Sequence, residues 1–307
     1  MNPVIPLRNL KRARPATRFF LPFVLSMFCF FSIGPSPLRA DPVSPNDWSY
    51  RFTSYTWLTG INGHQTVKGR TVDIDASFID LAEHAKFPKD LFAMGGYFEA
   101  RKGPVSLFSD IFYSKVGVGG GSVRSRGTDS LGASVGASLG VKFEMVTAQL
   151  AAAYEVAKWG GANVGNYTAL DLYGGTRIWW QQLDVDLSLT GTVNIGDLTV
   201  VNGRAIARSG DVSWVDPLVG LRLRHQIAPG KEFVINADIG GFGAGSKISW
   251  QLAGTYNWDF AVTKEAVWSG VIGYKALYVD YTQGTGTSRY EFNVLQYGPV
   301  LGVTAKF

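Results

Sequence analysis

The residue types that could carry chemistry are few, and their spacing points to no catalytic or metal centre. The three histidines are His64, His84 and His225. A serine or cysteine nucleophile needs a histidine within hydrogen-bond reach, and no local motif in the sequence ties a serine to one of these histidines. His64 and His84 lie in one segment with Asp73, Asp75 and Asp80. These five side chains could bind a metal only if the segment folded to bring them together. We therefore predict no catalytic residue, no metal and no cofactor, and we expect the protein not to be an enzyme.

A glycine-rich segment is the second candidate for chemistry. Gly240, Gly241, Gly243 and Gly245 have the density of a phosphate-binding loop. Such a loop needs a buried strand before the glycines and a helix after them. Here both flanks alternate between apolar and polar residues, as strands do, so the segment predicts a tight hairpin at the surface.

The first forty residues have the organisation of a secretory signal peptide. A cationic stretch at residues 8–18 precedes an apolar run at 19–33, and the segment ends in Leu38-Arg39-Ala40. We predict cleavage after Ala40, which leaves residues 41–307 as a single mature domain and removes Cys29, the only cysteine. Six of the 29 Lys and Arg residues lie in this leader, so the mature chain has 23 cations against 24 acidic residues. This balance argues against a nucleic-acid partner.

The mature chain consists of segments that alternate with a period of two. Residues 183–195 and 247–260 are the clearest examples, each with one apolar and one polar face. The segments run about 10–14 residues, which is longer than ordinary soluble strands and suits a tilted membrane strand. Aromatic residues gather near the segment ends on the apolar face, namely Trp48, Trp180, Trp250, Trp258, Trp268, Tyr278 and Tyr297. This arrangement is typical of the girdles of a transmembrane barrel, and the terminal Phe307 closes an alternating strand on the same face.

The pattern therefore predicts an all-β, antiparallel transmembrane β-barrel of about twelve strands, with ten or fourteen as alternatives. Lipid solvates no backbone groups, so the strands must close, and an even number returns both termini to the periplasm. The predicted strands are 48–60, 91–102, 105–117, 130–143, 146–158, 168–180, 183–195, 213–226, 231–241, 247–259, 266–281 and 293–307. Short connectors at 101–104, 181–182 and 228–230 are predicted on the periplasmic side, and longer ones at 118–129, 163–167, 196–211 and 282–290 outside. The first loop, residues 61–90, is predicted to hold a short helix at 76–86, and residues 65–74 could form a further strand.

Four segments carry a resemblance to a broad, largely uncharacterised family of proteobacterial outer-membrane β-barrel proteins. They are Ala237-Asp238-Ile239-Gly240-Gly241-Phe242-Gly243-Ala244-Gly245-Ser246, Trp214-Val215-Asp216-Pro217, Gly273-Tyr274-Lys275 and Gly298-Pro299-Val300-Leu301-Gly302. The resemblance covers most of the mature chain. It implies the barrel fold and location in the outer membrane of a Gram-negative bacterium, and it brings no substrate or catalytic residue.

Placing Phe307 toward lipid fixes which residues face the lumen. The predicted lumen-lining charges are Arg177, Arg222, Arg224, Asp171, Asp184, Asp186, Asp238 and Lys275. Two interpretations stay open. In the first, the opposite charges pair with one another; in the second, the three arginines face the aspartates across a water-filled path and select ions. Four aromatic residues, Trp57, Phe112, Tyr173 and Trp179, are predicted to narrow the lumen.

Three functions follow, in decreasing order of support. The first is a narrow passive channel for small polar solutes. The alternative is a structural or surface-interaction barrel, with its lumen closed by ion pairs, that displays loops at residues 119–128 and 200–210. A lipid-modifying enzyme ranks last, because the sequence lacks a His-Ser-Asn cluster of that kind. The expected partners are outer-membrane lipid, lipopolysaccharide and the barrel assembly machinery, with Phe307 as the assembly signal. The oligomeric state stays open.

Overall fold

Fourteen strands account for nearly all of the described chain. The computed structural model describes residues 47–67, 70–84, 91–118, 136–160, 166–190, 192–195, 198–201 and 204–307, so the predicted signal peptide and the loop at 119–128 lie outside the described residues. In chain order the strands are β1 (Ser49–Trp57), β2 (Gly60–Val67), β3 (Arg70–Ala76), β4 (Leu91–Lys102), β5 (Val105–Val118), β6 (Gly136–Trp159), β7 (Tyr167–Thr190), β8 (Thr192–Ile195), β9 (Leu198–Val201), β10 (Arg204–Ala228), β11 (Lys231–Gly240), β12 (Ile248–Val262), β13 (Val267–Gln283) and β14 (Tyr290–Lys306). The helix α1 spans Phe78–His84, and a 3-10 turn spans Gly286–Ser288.

Ten of these strands close into an antiparallel barrel. The ring order is β1-β4-β5-β6-β7-β10-β11-β12-β13-β14, and β14 pairs back onto β1 from Arg51↔Lys306 to Trp57↔Val300. The hairpin of β2 and β3 continues from the other half of β14, where Thr66 pairs with Glu291, and β8 and β9 form a separate hairpin. The closed ring therefore has ten strands and not the favoured twelve. Ten was one of the two predicted alternatives.

The difference in number arises from two long strands that the sequence pattern divides. Predicted strands 130–143 and 146–158 form the single strand β6, and β7 runs without a break through the predicted turn at 181–182. The predicted turn is wrong because Gln181 is a lumen residue, 1% exposed, whose side-chain oxygen accepts a hydrogen bond from the Tyr290 hydroxyl. As a result, the connection after β6 lies at the end of the barrel where β1 begins and β14 ends. The predicted position for residues 163–167, at the opposite end, is wrong.

The short first-loop helix has a clear local cause. The backbone N–H of Asp80 donates to the Ser77 hydroxyl at 3.2 Å, while the backbone N–H of Ser77 donates to the Asp80 carboxylate at 2.9 Å. This reciprocal capping satisfies N–H groups that an α-helix leaves unpaired at its start. The helix falls inside the predicted range of 76–86. No helix in the described part of the chain is long and apolar enough to cross a membrane.

An exposed apolar belt surrounds the barrel. It includes Leu107, Leu150, Tyr154, Leu172, Ile178, Val215, Val219, Leu221, Ile239, Leu252, Ile272, Tyr274, Leu301 and Val303, each more than a third exposed. On β6 the belt covers residues 150–159, and on β10 it covers 215–227. These two strands have 24 and 25 residues, whereas crossing a bilayer takes about 9–11. β7 and β10 stay paired beyond Leu218↔Gly240, where the pairing of β11 with β10 ends, and β6 stays paired with β7 in the same region. We name this part, which lies away from the start of β1 and the end of β14, the projecting sheet.

Candidate functional site

Ion pairs of buried and half-buried residues span the lumen near the end of the barrel where β1 begins and β14 ends. At their centre Asp171, fully buried on β7, accepts hydrogen bonds from three arginines. The distances to its carboxylate oxygens are 2.7 Å from Arg101, 2.8 Å from Arg222 and 3.1 Å from Arg224. Glu155 accepts a further bond from Arg224 at 2.6 Å. Because every charge has an opposite charge within hydrogen-bond distance, the cost of burying each one is offset locally.

This network joins opposite walls of the barrel. Arg222 on β10 also donates to Glu99 on β4 at 2.9 Å, and these strands stand four positions apart in the ring. Arg51 on β1 reaches Glu232 on β11 at 3.0 Å, again four positions away. We call these residues, with Arg101, Glu155, Asp171 and Arg224, the ionic network. Its contacts cross the lumen instead of lining an open path.

A second ion pair lies deeper in the lumen. Arg177 donates to both carboxylate oxygens of Asp238, at 2.8 and 2.9 Å, and to the side-chain oxygen of Gln149 at 2.9 Å. The Tyr173 hydroxyl donates to the same carboxylate at 3.0 Å. The ring of Tyr173 needs Gly220 beneath it, because a Cβ at Gly220 would lie 2.4 Å from the ring carbon Cζ. A glycine on β10 therefore makes room for the aromatic residue that orients Asp238.

A third pair crosses between β13 and β5. The Lys275 ammonium donates to Asp110 at 3.2 Å, and the Tyr55 hydroxyl donates to the same carboxylate at 2.6 Å. The ammonium also lies 5.0 Å from the ring centroid of Trp57, within range of a cation–π contact. Lys275 thus links the polar part of the lumen to the aromatic residues beside it.

Aromatic side chains fill the part of the lumen away from the chain termini. We name this group the aromatic plug; its members are Trp57, Phe112, Phe143, Trp179, Trp214, Tyr281, Tyr290 and Phe292, all buried in one cluster. Phe143 on β6 stacks on Phe292 on β14 with ring centroids 5.7 Å apart, although four strand positions separate them around the ring. The Tyr290 hydroxyl reaches Gln181 on β7, which is diametrically opposite β14. The aromatic plug therefore spans the whole diameter of the lumen.

Asp216 holds the aromatic plug to the glycine-rich turn. Its carboxylate, fully buried, accepts bonds from the Trp179 indole N–H at 2.9 Å and from the backbone N–H and hydroxyl of Ser246 at 2.7 and 2.8 Å. The Trp214 indole N–H donates to the same Ser246 hydroxyl at 2.8 Å. A Cβ at Gly245 would lie 2.4 Å from the carbonyl oxygen of Val215, so only glycine lets the turn approach β10 this closely. Two of the segments that carry the family resemblance therefore meet here, in the turn predicted as a hairpin.

Most of the predicted lumen charges lie inside the barrel and are paired. Arg177, Arg222, Arg224, Asp171, Asp238 and Lys275 all make the lumen contacts given above. The side chains of Asp184 and Asp186 lie outside the described residues, and with no turn at 181–182 the inward placement inferred for them loses its basis. The backbone of Phe307 exchanges two hydrogen bonds with Tyr50, at 2.9 and 3.1 Å.

Sequence reasoning missed two residues that take part in the lumen contacts. Glu232 shares the alternating phase of Val234 and Asp238 on β11, so the pattern contained the signal that it faces inward. Ser246 lies in an irregular turn, where alternation gives no information. Lys247, at the end of this turn, is 61% exposed and pairs with Asp280 at 3.3 Å. The predicted inward placement of Trp57, Phe112, Tyr173 and Trp179 is confirmed.

The described histidines make single polar contacts. His64 lies 3.5 Å from Glu291, and the Nδ1 atom of His225 lies 2.9 Å from the Thr168 hydroxyl. The side chain of His84 lies outside the described residues. Within the described ranges, no three His, Cys, Asp or Glu side chains come together as metal ligands would.

Comparisons with known proteins give weak similarity to solved barrels. No protein-family model and no curated protein sequence matches the chain. The attachment invasion locus protein Ail of Yersinia pestis, solved with the heparin analogue sucrose octasulfate, is 9% identical with a TM-score of 0.32, over 85% of this chain and 98% of its own. Neisserial surface protein A is 10% identical with a TM-score of 0.29, over 84% and 97%. The translocator domain of the autotransporter NalP of Neisseria meningitidis is 10% identical with a TM-score of 0.26, over 94% and 96%. Similarity at this level carries no inference about function.

Proposed function

We propose that the protein is an outer-membrane β-barrel with a closed lumen, which acts through the surfaces at its ends as a structural or surface-interaction protein. The observation that carries the proposal is the contact between opposite walls at several levels. Tyr290 bonds Gln181 across the full diameter, Phe143 stacks on Phe292, and the ionic network joins β10 to β4. Protein interiors packed in this way leave no continuous path for a solute.

Location in the outer membrane is supported by the exterior of the barrel. A closed barrel leaves no unpaired sheet edge in lipid, and an exposed belt of apolar side chains is the surface that a bilayer solvates. The same belt exposes Leu150, Leu172, Val219 and Leu252, each at least half exposed, which water would solvate poorly. A secretory leader removed after Ala40 belongs to the same proposal, and so do lipid, lipopolysaccharide and the assembly machinery as partners.

The projecting sheet is the surface we propose for interaction. The pairing of β11 with β10 ends at Leu218↔Gly240, so β10 from Arg204 to Pro217 has no strand paired on that side among the described residues. Unpaired strand edges are ready to pair with another chain. Arg204 and Arg208, predicted in a loop, occupy positions in this edge strand, which favours anionic partners such as lipopolysaccharide.

A narrow passive channel was the function that the sequence favoured, and the packing supports it less well. Conduction would require the aromatic plug to leave the lumen, and its eight members are each at most 8% exposed. The ion-filter interpretation also loses support, because Arg177, Arg222 and Arg224 make hydrogen bonds to buried carboxylates instead of facing a water path. That the protein is no enzyme remains part of the proposal.

Conductance in planar bilayers tests the closed lumen. The wild-type protein should give no discrete steps, whereas the double variant Phe143→Ala/Phe292→Ala, which removes the stacked pair, should give openings. Phe260→Ala is the matched control, because Phe260 is 58% exposed on the outside of the barrel, and it should stay silent. Regular single-channel steps from the wild-type protein, with an ion preference changed by Arg222→Gln/Arg224→Gln, would establish the channel and end this proposal.

A further inference from the structure

A cavity of about 130 Å³ lies inside the barrel. Every one of the ten ring strands contributes to its wall. It is bordered by members of the ionic network, such as Arg51 and Arg222, and by Tyr55, which contacts the aromatic plug. We name this space the lumen chamber. It is separate from the projecting sheet and has no part in the function proposed above.

Solvent reaches the lumen from the end where β1 begins and β14 ends. There the side chains of Lys306 and Asp259 are 27% and 25% exposed, and that of Arg51, which also lines the lumen chamber, is 27% exposed. On the other side of the barrel interior, Phe292 and Phe112 of the aromatic plug are each 1% exposed. The ionic network lies between this end and the lumen chamber, and a ligand would enter past Arg51, the most exposed member of the network. This end faces the periplasm for a barrel in which β1 begins and β14 ends on that side.

The charges in the wall already have protein partners. Arg51 pairs with Glu232, Arg222 with Asp171 and Glu99, and Lys275 with Asp110. A ligand that carries a net charge would have to compete with one of these pairs, and an isolated charge entering the chamber would find no free opposite charge. The electrostatics of the lumen chamber therefore favour a neutral ligand.

The wall also offers polar groups that have no protein partner. Asn236, Thr255 and Asn257 line the lumen chamber, and their side chains form no hydrogen bond with any described residue. Asn257 is only 6% exposed, so its amide has access to little beyond the chamber itself. A buried amide needs hydrogen bonds, which either water or a ligand must supply.

Apolar surface makes water alone a poor occupant. Phe108, Tyr173, Val234 and Val271 present apolar surface to the same space. An ordered buried water needs about two to four polar partners, and these side chains supply few. Ligand sites commonly combine apolar and aromatic walls with a few precisely placed polar groups. A molecule with hydroxyl groups at its rim and an apolar C–H face would match both kinds of surface in the lumen chamber.

We propose that the lumen chamber binds a neutral polyol about the size of a monosaccharide ring, which enters from the periplasmic end. Asn236, Thr255 and Asn257 hydrogen-bond its hydroxyl groups, and the aromatic and valine side chains contact its C–H face. The paired charges exclude anionic and cationic analogues.

Calorimetric titration of the refolded full-length protein in detergent micelles tests this, with methyl α-D-glucopyranoside, gluconate and glucosamine as probes. The neutral glycoside should bind saturably, and each charged analogue should bind at least tenfold more weakly. Asn257→Ala should weaken the binding of the neutral probe about tenfold, the effect of losing one hydrogen bond. Ala253→Phe, which adds a ring where Ala253 lines the chamber, should abolish it.

Asn62→Ala is the matched control, because Asn62 is exposed and bonds Asp75 outside the chamber, and this variant should bind like the wild type. The proposal is overturned if no probe binds saturably to a folded wild-type protein, if a charged analogue binds as well as the glycoside, or if Asn257→Ala binds unchanged. If Ala253→Phe fails to fold, Asn257→Ala alone decides the location of the site. Bilayer conductance by the wild-type protein would contradict the closed lumen and would leave the binding result as it stands.

Discussion

Replacing Arg222 with glutamine should destabilise the barrel strongly, because this one side chain connects two carboxylates on opposite walls. The guanidinium is 3% exposed and donates to Asp171 at 2.8 Å, to Glu99 at 2.9 Å and to the Tyr97 hydroxyl at 2.9 Å. Glutamine keeps hydrogen-bonding capacity and loses the charge. Asp171 would retain two arginines, whereas Glu99 would keep Arg101 at 3.4 Å as its cation and the neutral Tyr97 hydroxyl at 2.9 Å. Removing one partner of a buried ion pair costs about 3–5 kcal/mol, and we expect a loss of this size in the free energy of unfolding.

Urea unfolding of the refolded protein in lipid vesicles, followed by tryptophan fluorescence, measures the change. The matched control is Lys247→Gln, because Lys247 is 61% exposed and pairs with Asp280 at 3.3 Å. Exposed pairs contribute about 0–1 kcal/mol, so the control should unfold close to the wild type. If Arg222→Gln unfolds at the same urea concentration as Lys247→Gln, the ionic network does not hold the walls together and the reasoning fails.

Three further predictions concern the aromatic plug and the barrel seam. Asp216→Ala should lower the free energy of unfolding by about 3–6 kcal/mol, because it removes the acceptor of three buried donors. In the same urea titration the control Asp280→Ala, which removes one partner of a less buried ion pair, should have a small effect. Gly245→Ala should reduce the yield of heat-modifiable, folded barrel on a gel, because the added Cβ meets the Val215 carbonyl oxygen at 2.4 Å, and a normal yield would contradict the close approach. Phe307→Ala keeps the backbone hydrogen bonds to Tyr50 and removes apolar burial worth about 1.5–3 kcal/mol. A fall in the amount of inserted protein larger than this loss of stability explains would indicate recognition of Phe307 by the assembly machinery, and an unchanged amount would exclude an assembly role.

The fold class could be predicted from the sequence, and the strand boundaries at the long strands could not. Alternation of period two on β12 and β14 reports one lipid face and one polar face, and these strands lie within about three residues of the predicted ranges. The pattern fails where the lumen side becomes apolar. Phe143 of the aromatic plug and Met145, which is buried in the same cluster, both face inward, so polar and apolar residues no longer separate by face, and β6 appears interrupted at that point.

The candidate site could be predicted in part for a similar reason. Burial of charge in a lumen follows from alternation, so Asp171, Arg222 and Lys275 could be located from the strand phase alone. Which charges pair depends on contacts between strands that stand up to four positions apart in the ring, and no local pattern contains that information. The role of Asp216 depends on a turn that folds back onto β10, and the glycines that permit this approach indicated only a turn.

The pairing of β1 with β14 also determines when the barrel can form. Arg51 lies opposite Lys306, so the two strands that seal the ring are the first and the last strands of the described chain. A contact of such large sequence separation forms slowly, because the intervening chain must first be ordered. Until β14 is available, β1 has a free edge, and a chain that has emerged only in part exposes that edge without a partner. Under the location proposed above, the interval between export and insertion is therefore when the chain is most exposed to aggregation and proteolysis, and it ends only once β14 pairs with β1.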